Sequence, residues 1–95
     1  MAQYRTQFRI IADVLSTARD MNTEGGGVGI TTLLRKGNMS YTRMTKLLSE
    51  LVGSGLLTEL SSEKISKYQI SDKGLQFLAG YSNFSNFAQS FGLRL

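Results

Sequence analysis

The sequence predicts a small, mainly helical α+β fold, in which three helices are followed by a β-hairpin and a long final helix. Apolar residues recur at helical spacing in four segments of the chain. Clusters of glycine and polar residues separate these segments. A stretch at residues 66–70 instead alternates apolar and polar residues, as a strand does. With 95 residues, the chain is long enough for one domain with a thin core.

The first helix is predicted over residues 4–21, where apolar side chains form a broad stripe. The stripe comprises Tyr4, Phe8, Ile11, Leu15 and Ala18. The helix should end before the three glycines at 25–27, because glycine loses the most conformational freedom in a helix. A short second helix is expected over residues 30–36, with Gly37 and Asn38 ending it.

A third helix is predicted to begin near Ser40, whose hydroxyl is a good N-cap acceptor for a free backbone N–H. Its apolar positions, assigned to the core, are Tyr41, Met44, Leu47, Leu48, Leu51 and Val52. The residues left facing outward are Thr42, Arg43, Lys46, Ser49 and Glu50. The Gly-Ser-Gly sequence at 53–55 should end this helix.

The hairpin is predicted from a strand at 56–60, a polar turn at 61–64 and the alternating strand at 66–70. Val28 is expected to add a short edge strand beside it. Ser71 is predicted to cap the final helix, with Asp72 near the positive helix end. Two helices joined by a tight turn and followed by a hairpin form a winged helix-turn-helix, with the hairpin as the wing. We assign residues 1–74 to this domain and residues 75–95 to a helix continuous with it.

Composition argues against an enzyme. The chain has no Cys and no His, which excludes disulfides, thiolate metal sites and the usual nucleophile–base pairs. The seven acidic residues are scattered without an obvious carboxylate pair. We therefore predict no catalytic residue, no metal and no cofactor.

The glycine-rich segment at 26–32 differs by one residue from a phosphate-binding loop. Ile30 stands where the loop needs a lysine, and the preceding residues are too polar for a buried strand. We interpret the segment as a flexible connection, and expect no nucleotide ligand.

The net charge is +4, which indicates nucleic acid first and an anionic membrane surface second. Many small proteins are mildly basic without such a role, so the distribution matters more. Four basic residues and no acid lie between Arg35 and Ser49. The N-terminus has no signal-peptide core, and no run approaches membrane-spanning length. We expect a cytoplasmic, nucleoid-associated protein without a membrane partner.

The third helix carries the predicted DNA contacts. Ser40, Thr42, Arg43 and Lys46 cluster in its first two turns, where recognition helices meet base edges. Arg43 can bond guanine and Thr42 can touch a thymine methyl. Phosphate contacts are assigned to Arg35 and Lys36 of the second helix and to Lys64 and Lys67 of the wing. The alternative is an ordinary solvated face.

The final helix carries a second pattern. Phe77, Tyr81, Phe84, Ala88, Phe91 and Leu95 follow a spacing of four and three residues, which is typical of a seam for a partner helix. Leu75 and Leu78 are expected to point into the core. We predict a homodimer; the alternatives are a helix that folds back or an unrelated partner. The Ser and Asn residues after position 81 also allow the helix to fray beyond Asn83.

Several fragments in this order resemble one family, the archaeal ten-kilodalton winged-helix DNA-binding proteins. They are Tyr4-Arg5, Ile10-Ile11, Asn38-Met39-Ser40-Tyr41, Lys46-Leu47-Leu48, Gly55-Leu56-Leu57, Tyr68, Ile70-Ser71-Asp72-Lys73-Gly74 and Phe77-Leu78. The resemblance implies double-stranded DNA binding, as a chromatin protein or a regulator. It also implies a dimer through an antiparallel coiled coil of the last helices. Two departures are Gly29 in place of a hydroxyl-bearing cap, and a final helix rich in aromatic, Asn and Ser residues.

Two function hypotheses follow. The first is a DNA-binding homodimer, acting in transcription regulation or chromatin architecture, with the third helix in the major groove and the wing on the phosphates. The alternative is a protein-interaction module, in which the winged helix is a scaffold and the Phe-rich final helix is the binding surface.

Overall fold

The computed structural model describes residues 6–22, 26–62 and 65–93. The elements in chain order are α1 (Gln7–Asp20), β1 (Val28–Gly29), α2 (Ile30–Gly37), α3 (Tyr41–Gly53), β2 (Leu57–Ser62), β3 (Ile65–Ile70) and α4 (Asp72–Gln89). The predicted order of helices and hairpin is confirmed. The predictions made for Tyr4, Lys64 and Leu95 lie outside the described residues.

Hydroxyl caps start three of the four helices. The hydroxyl oxygens of Thr6, Ser40 and Ser71 each accept a hydrogen bond from a backbone N–H three residues later, as predicted for Ser40 and Ser71. Such a cap contributes about 1 kcal/mol to helix stability. α2 begins after Gly29, which has no side chain to cap it.

A glycine fixes the end of α3. Gly55 has a φ of +85°, a left-handed conformation that glycine adopts without steric cost. The N–H of Gly55 bonds the carbonyl of Val52 at 3.1 Å, and the N–H of Leu56 bonds that of Leu51 at 2.9 Å. These two bonds form a Schellman motif, which turns the chain sharply into β2.

The core lies where α1 packs against α2, α4 and β3. Its buried residues are Ala12, Val14, Leu15, Ala18, Val28, Leu33, Met44, Leu47, Leu48, Leu51, Leu57 and Leu78. Every helix and two of the strands contribute at least one of these side chains. Neither α3 nor α4 is therefore an independent unit.

The sheet is antiparallel with strand order β1-β3-β2. Val28 pairs with Tyr68, which confirms the edge strand beside the wing. The turn predicted at 61–64 is shorter than expected, because Ser61 pairs with Ser66 and Ser62 with Ile65. The cross-strand ladder thus extends closer to the tip of the hairpin.

α4 is anchored where it begins. The Ser71 hydroxyl donates to the carbonyl of Gly55 at 2.5 Å and accepts from the N–H of Gly74 at 3.0 Å. A Cβ at Gly74 would lie 2.6 Å from Cγ1 of Ile70 and closer still to the carbonyl oxygen of Leu56. Only glycine therefore allows α4 to approach the end of α3 this closely.

Two core assignments are wrong. Tyr41 is 62% exposed and Leu75 is 43% exposed, whereas Leu78 is buried as expected. Tyr41 is the first residue of α3, and the core begins one turn later at Met44. Leu75 is turned about 100° around α4 from Gly74, the residue that faces the body of the protein.

The helix α4 continues past Asn83 to Gln89, so the fraying considered above does not occur there. Gly92, with a φ of +77°, ends it in a second Schellman motif. The N–H of Leu93 bonds the carbonyl of Ala88 at 3.0 Å. Ala88 is buried, although it is not part of the main core.

Candidate nucleic-acid interface

The first two turns of α3 present the residues expected to read DNA. Thr42, Arg43 and Lys46 are all exposed, as their positions on the helical wheel predicted. Ser40 serves as the N-cap, since its hydroxyl oxygen accepts from the Arg43 N–H at 3.3 Å. Its own O–H is still able to donate to a phosphate.

Arg43, Lys46 and Glu50 lie within about 60° of one another around α3, given 3.6 residues per turn. They form one side of a shallow cleft, which Gln7 at the start of α1 and Met39 complete. The acid is thus held in the third turn of this stripe, behind the two cations. The end of α3 nearest the turn carries the positive charge.

The remaining predicted contacts lie on the neighbouring elements. Arg35 and Lys36 are exposed in the last turn of α2, and three residues separate the end of α2 at Gly37 from the start of α3 at Tyr41. Asn38 makes the turn between them possible by adopting a φ of +52°. Lys67 is exposed on β3, opposite Leu60 of β2. We call Arg35, Lys36, Arg43, Lys46 and Lys67 the cationic surface.

The cations of this surface differ from those of α1 in their partners. Arg9 contacts Asp13 at 3.3 Å and Arg19 contacts Asp20 at 2.8 Å. The hydrogen bond from Arg19 lowers the pKa of Asp20 from its ordinary value. In contrast, no residue of the cationic surface forms an ion pair within the described parts of the chain. Of the described cations without an ion pair, five lie on α2, α3 and β3, and Lys73 lies at the start of α4.

Tyr41 belongs to the candidate interface and was missed from the sequence. Burial raises the pKa of the Tyr68 hydroxyl above its ordinary value, and the nearby Glu59 and Tyr41 add to this effect. Tyr41 thus lies near Tyr68 of β3, and its side chain is 62% exposed. The signal that could have found it is its place directly after the N-cap, ahead of the first core residue of α3.

The predicted dimer residues occupy different environments on α4. Phe77 and Tyr81 are half-buried against the core, and their rings stack with centroids 6.4 Å apart. Phe84 and Phe91 are 57% and 68% exposed. Phe87, which the spacing did not include, is also exposed and packs edge-on against Phe91 at 5.2 Å. We call Phe84, Phe87, Phe91 and Leu93 the phenyl surface.

Among the described residues, no group of three or more acidic side chains is placed to hold a metal ion. None of the helices in those residues combines the length and the apolar character that crossing a bilayer requires.

Comparison with known proteins establishes the family. The sequence pattern that defines winged helix-turn-helix proteins matches residues 4–89. The chain belongs to the winged helix-turn-helix family. In this winged helix, α2 and α3 form the helix-turn-helix and the β2–β3 hairpin is the wing.

The structure is similar to the crystal structure of Sso10a-2, a DNA-binding protein from Sulfolobus solfataricus. The TM-score is 0.76 at 22% sequence identity, over 92% of this chain and 85% of that chain. This likeness is one of fold, and it agrees with the winged-helix fold that the family resemblance implies. No curated protein sequence matches the chain.

Proposed function

We propose that this winged helix binds double-stranded DNA, with α3 in the major groove and the wing against the phosphates. The observation that carries the proposal is the contrast in pairing, because the cations of α2, α3 and β3 are left without acidic partners while those of α1 are paired. The fold supports it, since winged helices present α3 to the groove. The similar protein Sso10a-2 is described as DNA-binding.

Each residue has a distinct role in this proposal. Arg43 makes two hydrogen bonds to a guanine, and Thr42 contacts a thymine methyl. Lys46 and the O–H of Ser40 bind phosphates beside the groove. Tyr41 adds a neutral hydroxyl at the start of α3.

The flanking cations hold the backbone of the duplex and set the register of α3. Arg35 and Lys36 contact phosphates at the end of α2. Lys67 does so from the wing. Lys64, which lies outside the described residues, is assigned the same role from its place in the sequence.

The test is a fluorescence-anisotropy titration of a DNA duplex at two or more salt concentrations. Affinity should fall steeply with salt, because each phosphate contact releases a bound counterion. Neutralising Arg43 and Lys46 together, as Arg43→Gln with Lys46→Gln, should weaken binding by about 100-fold and lower the salt slope by one or two.

The matched control removes the same charge from the paired cations, as Arg9→Gln with Arg19→Gln. It should change affinity by no more than about threefold, since only the long-range field is altered. Equal losses in the two double variants would mean that net charge alone attracts DNA. Full binding by the Arg43 and Lys46 variant would instead favour the protein-interaction module.

We also propose that the protein acts as a homodimer assembled through α4. The phenyl surface supports this, because exposed phenyl rings in one patch are typical of an interaction site. A two-fold axis through α4 would place the two α3 helices to read half-sites in successive major grooves, about 34 Å apart.

As a non-enzymatic DNA binder at the nucleoid, the protein would act as a regulator or as an architectural protein. Selection from random duplexes separates these roles. An enriched sequence motif indicates a regulator, whereas binding without enrichment indicates an architectural protein.

A further inference from the structure

An apolar groove of about 430 Å³ runs between α1 and α4. Phe8 of α1 forms one wall, and Phe77, Tyr81 and Phe84 of α4 form the other. Phe8 is 61% exposed, although it belongs to the apolar stripe of its helix. The stripe of α1 is thus buried in its middle and open at its N-terminal end, where the groove lies.

Gly80 leaves the floor of this groove open. A Cβ built on Gly80 meets nothing within 4 Å, so the folded chain itself does not require glycine there. Glycine within a helix costs about 0.5–1 kcal/mol relative to alanine. The residue therefore opens space on the α4 side of the groove at some expense to the helix.

The same helix carries side chains that fit such a space. Phe87 and Phe91 are 61% and 68% exposed, and they lie one to two turns beyond the groove. Phe77, Gly80, Phe84, Phe87 and Phe91 fall within about 80° of one another on the helical wheel. α4 therefore presents both a gap and protruding rings on one face, which is the requirement for pairing with itself.

Charge also favours a second copy as the occupant. Residues 74–93 contain no charged side chain, so two such helices meet without like-charge repulsion. The cation that α4 carries on this face, Lys73, lies one turn before Phe77 and outside the uncharged stretch.

One antiparallel register brings the gap and the rings together. When Phe84 lies opposite Phe84 of the second copy, Gly80 lies opposite residue 88 and next to Phe87, and Phe77 lies opposite Phe91. Both halves of the interface then have the same contacts, as a two-fold axis demands.

We propose that the α1–α4 groove is the seat for Phe87 and Phe91 of a second copy, with Phe87 of each protomer over Gly80 of the other. This inference rests on the proposed homodimer and names the surface that receives the partner. It adds Phe8, and with it α1, to the interface. Because α1 packs against α2 and β3, the contact would fix each DNA-binding face relative to the other.

Filling the gap tests the proposal. Gly80→Leu should fold, since space is free in the monomer and leucine is a better helix former than glycine. It should raise the dimer dissociation constant at least tenfold in sedimentation velocity. The matched control is Ala79→Leu on an exposed position about 100° away, which should leave the constant unchanged. Phe8→Ser should also raise the dimer dissociation constant, although it changes α1 and leaves the sequence of α4 intact.

Covalent trapping tests the register, and the absence of native cysteine makes it unambiguous. Chains carrying Gly80→Cys mixed with chains carrying Phe87→Cys should form a disulfide-linked dimer under mild oxidation. Chains with Gly80→Cys alone should form little, because their sulfurs would lie on the order of 12 Å apart along the axis, beyond disulfide reach.

The outcomes separate this inference from the homodimer itself. Suppose that the dimer dissociation constant is unchanged in Gly80→Leu and in Phe8→Ser while the chain with both Phe84→Ser and Phe91→Ser is monomeric. That result would overturn the role of the groove and leave the homodimer in place. A wild-type chain that is monomeric at every concentration overturns both. Strong cross-linking of Gly80→Cys alone overturns the register.

Discussion

The cationic surface and the phenyl surface differ in almost every chemical respect, although one core supports both. The first carries five exposed cations on α2, α3 and β3. The second carries exposed rings on an uncharged stretch of α4. A protein that bound a single partner would have little reason to separate charge from apolar area so completely. This separation is what the proposed function requires, with DNA bound by the cationic surface and a second copy bound by the phenyl surface.

The two surfaces should therefore respond to salt in opposite ways. Salt screens the cationic surface and removes the gain from counterion release. Apolar association is not weakened by salt, and sulfate strengthens it.

The largest effect is expected from removing the phenyl surface, with Phe84→Ser and Phe91→Ser in one chain. Both rings are exposed, so the fold should persist while the dimer dissociates. Affinity for a duplex with two half-sites should fall by about 100-fold, because the second winged helix no longer binds at a high effective concentration. Light scattering and fluorescence anisotropy measure the two results.

A duplex with one half-site provides the control for this variant. Wild type and variant should bind it equally well and with the same salt slope. A dimer-sized variant, or an equal loss on both duplexes, would contradict the separation of the two surfaces.

Gly74→Ala should lower the stability of the fold that supports both surfaces, because Gly74 lies where α4 approaches the end of α3. Its Cβ would crowd the Leu56 carbonyl and the side chain of Ile70. Such overpacking costs about 1–3 kcal/mol. Urea denaturation followed by circular dichroism measures the loss. Gly53→Ala is the matched control, because Gly53 is also helical and its Cβ would meet nothing within 4 Å, so stability should not fall. Equal stability of the two variants would refute the role assigned to Gly74.

The sequence predicts the fold well where local signals agree with the packing. The hydroxyl caps at Ser40 and Ser71 and the glycines at 53–55 mark helix ends through hydrogen bonds within a few residues of the chain. The edge strand at Val28 is also predicted correctly, since Val28 pairs with Tyr68 of β3 and completes the sheet.

Positions at the margin of the core are harder to predict. Periodicity places Tyr41 and Leu75 among apolar residues, but it does not show where a helix leaves the body of the protein. The seam on α4 poses the same difficulty. Phe77 and Phe84 share one face in the sequence, yet only Phe77 packs on the core, because α4 extends beyond it.

Tyr41→Phe distinguishes a neutral contact from a cationic one within the same interface. Loss of its hydroxyl should weaken DNA binding by about three- to tenfold, which corresponds to the net free energy of one hydrogen bond. The salt slope should stay unchanged, because no charge is removed. Lys67→Gln should lower that slope by about one. Titrations at three salt concentrations give both slopes. A lower slope for Tyr41→Phe, or wild-type affinity, would remove Tyr41 from the interface.

Tyr81→Phe should have the smallest effect, and on stability alone. The Tyr81 hydroxyl is buried, and no described residue bonds it. A buried hydroxyl without a partner costs free energy that phenylalanine does not. The variant should therefore unfold at a higher urea concentration, with a gain of about 0.5–1 kcal/mol. Tyr41→Phe is the control, since its exposed hydroxyl is hydrated in the free protein and its loss should leave stability unchanged. A destabilised Tyr81→Phe would show that the hydroxyl is bonded and that α4 is held to α1 by a polar contact as well as an apolar one.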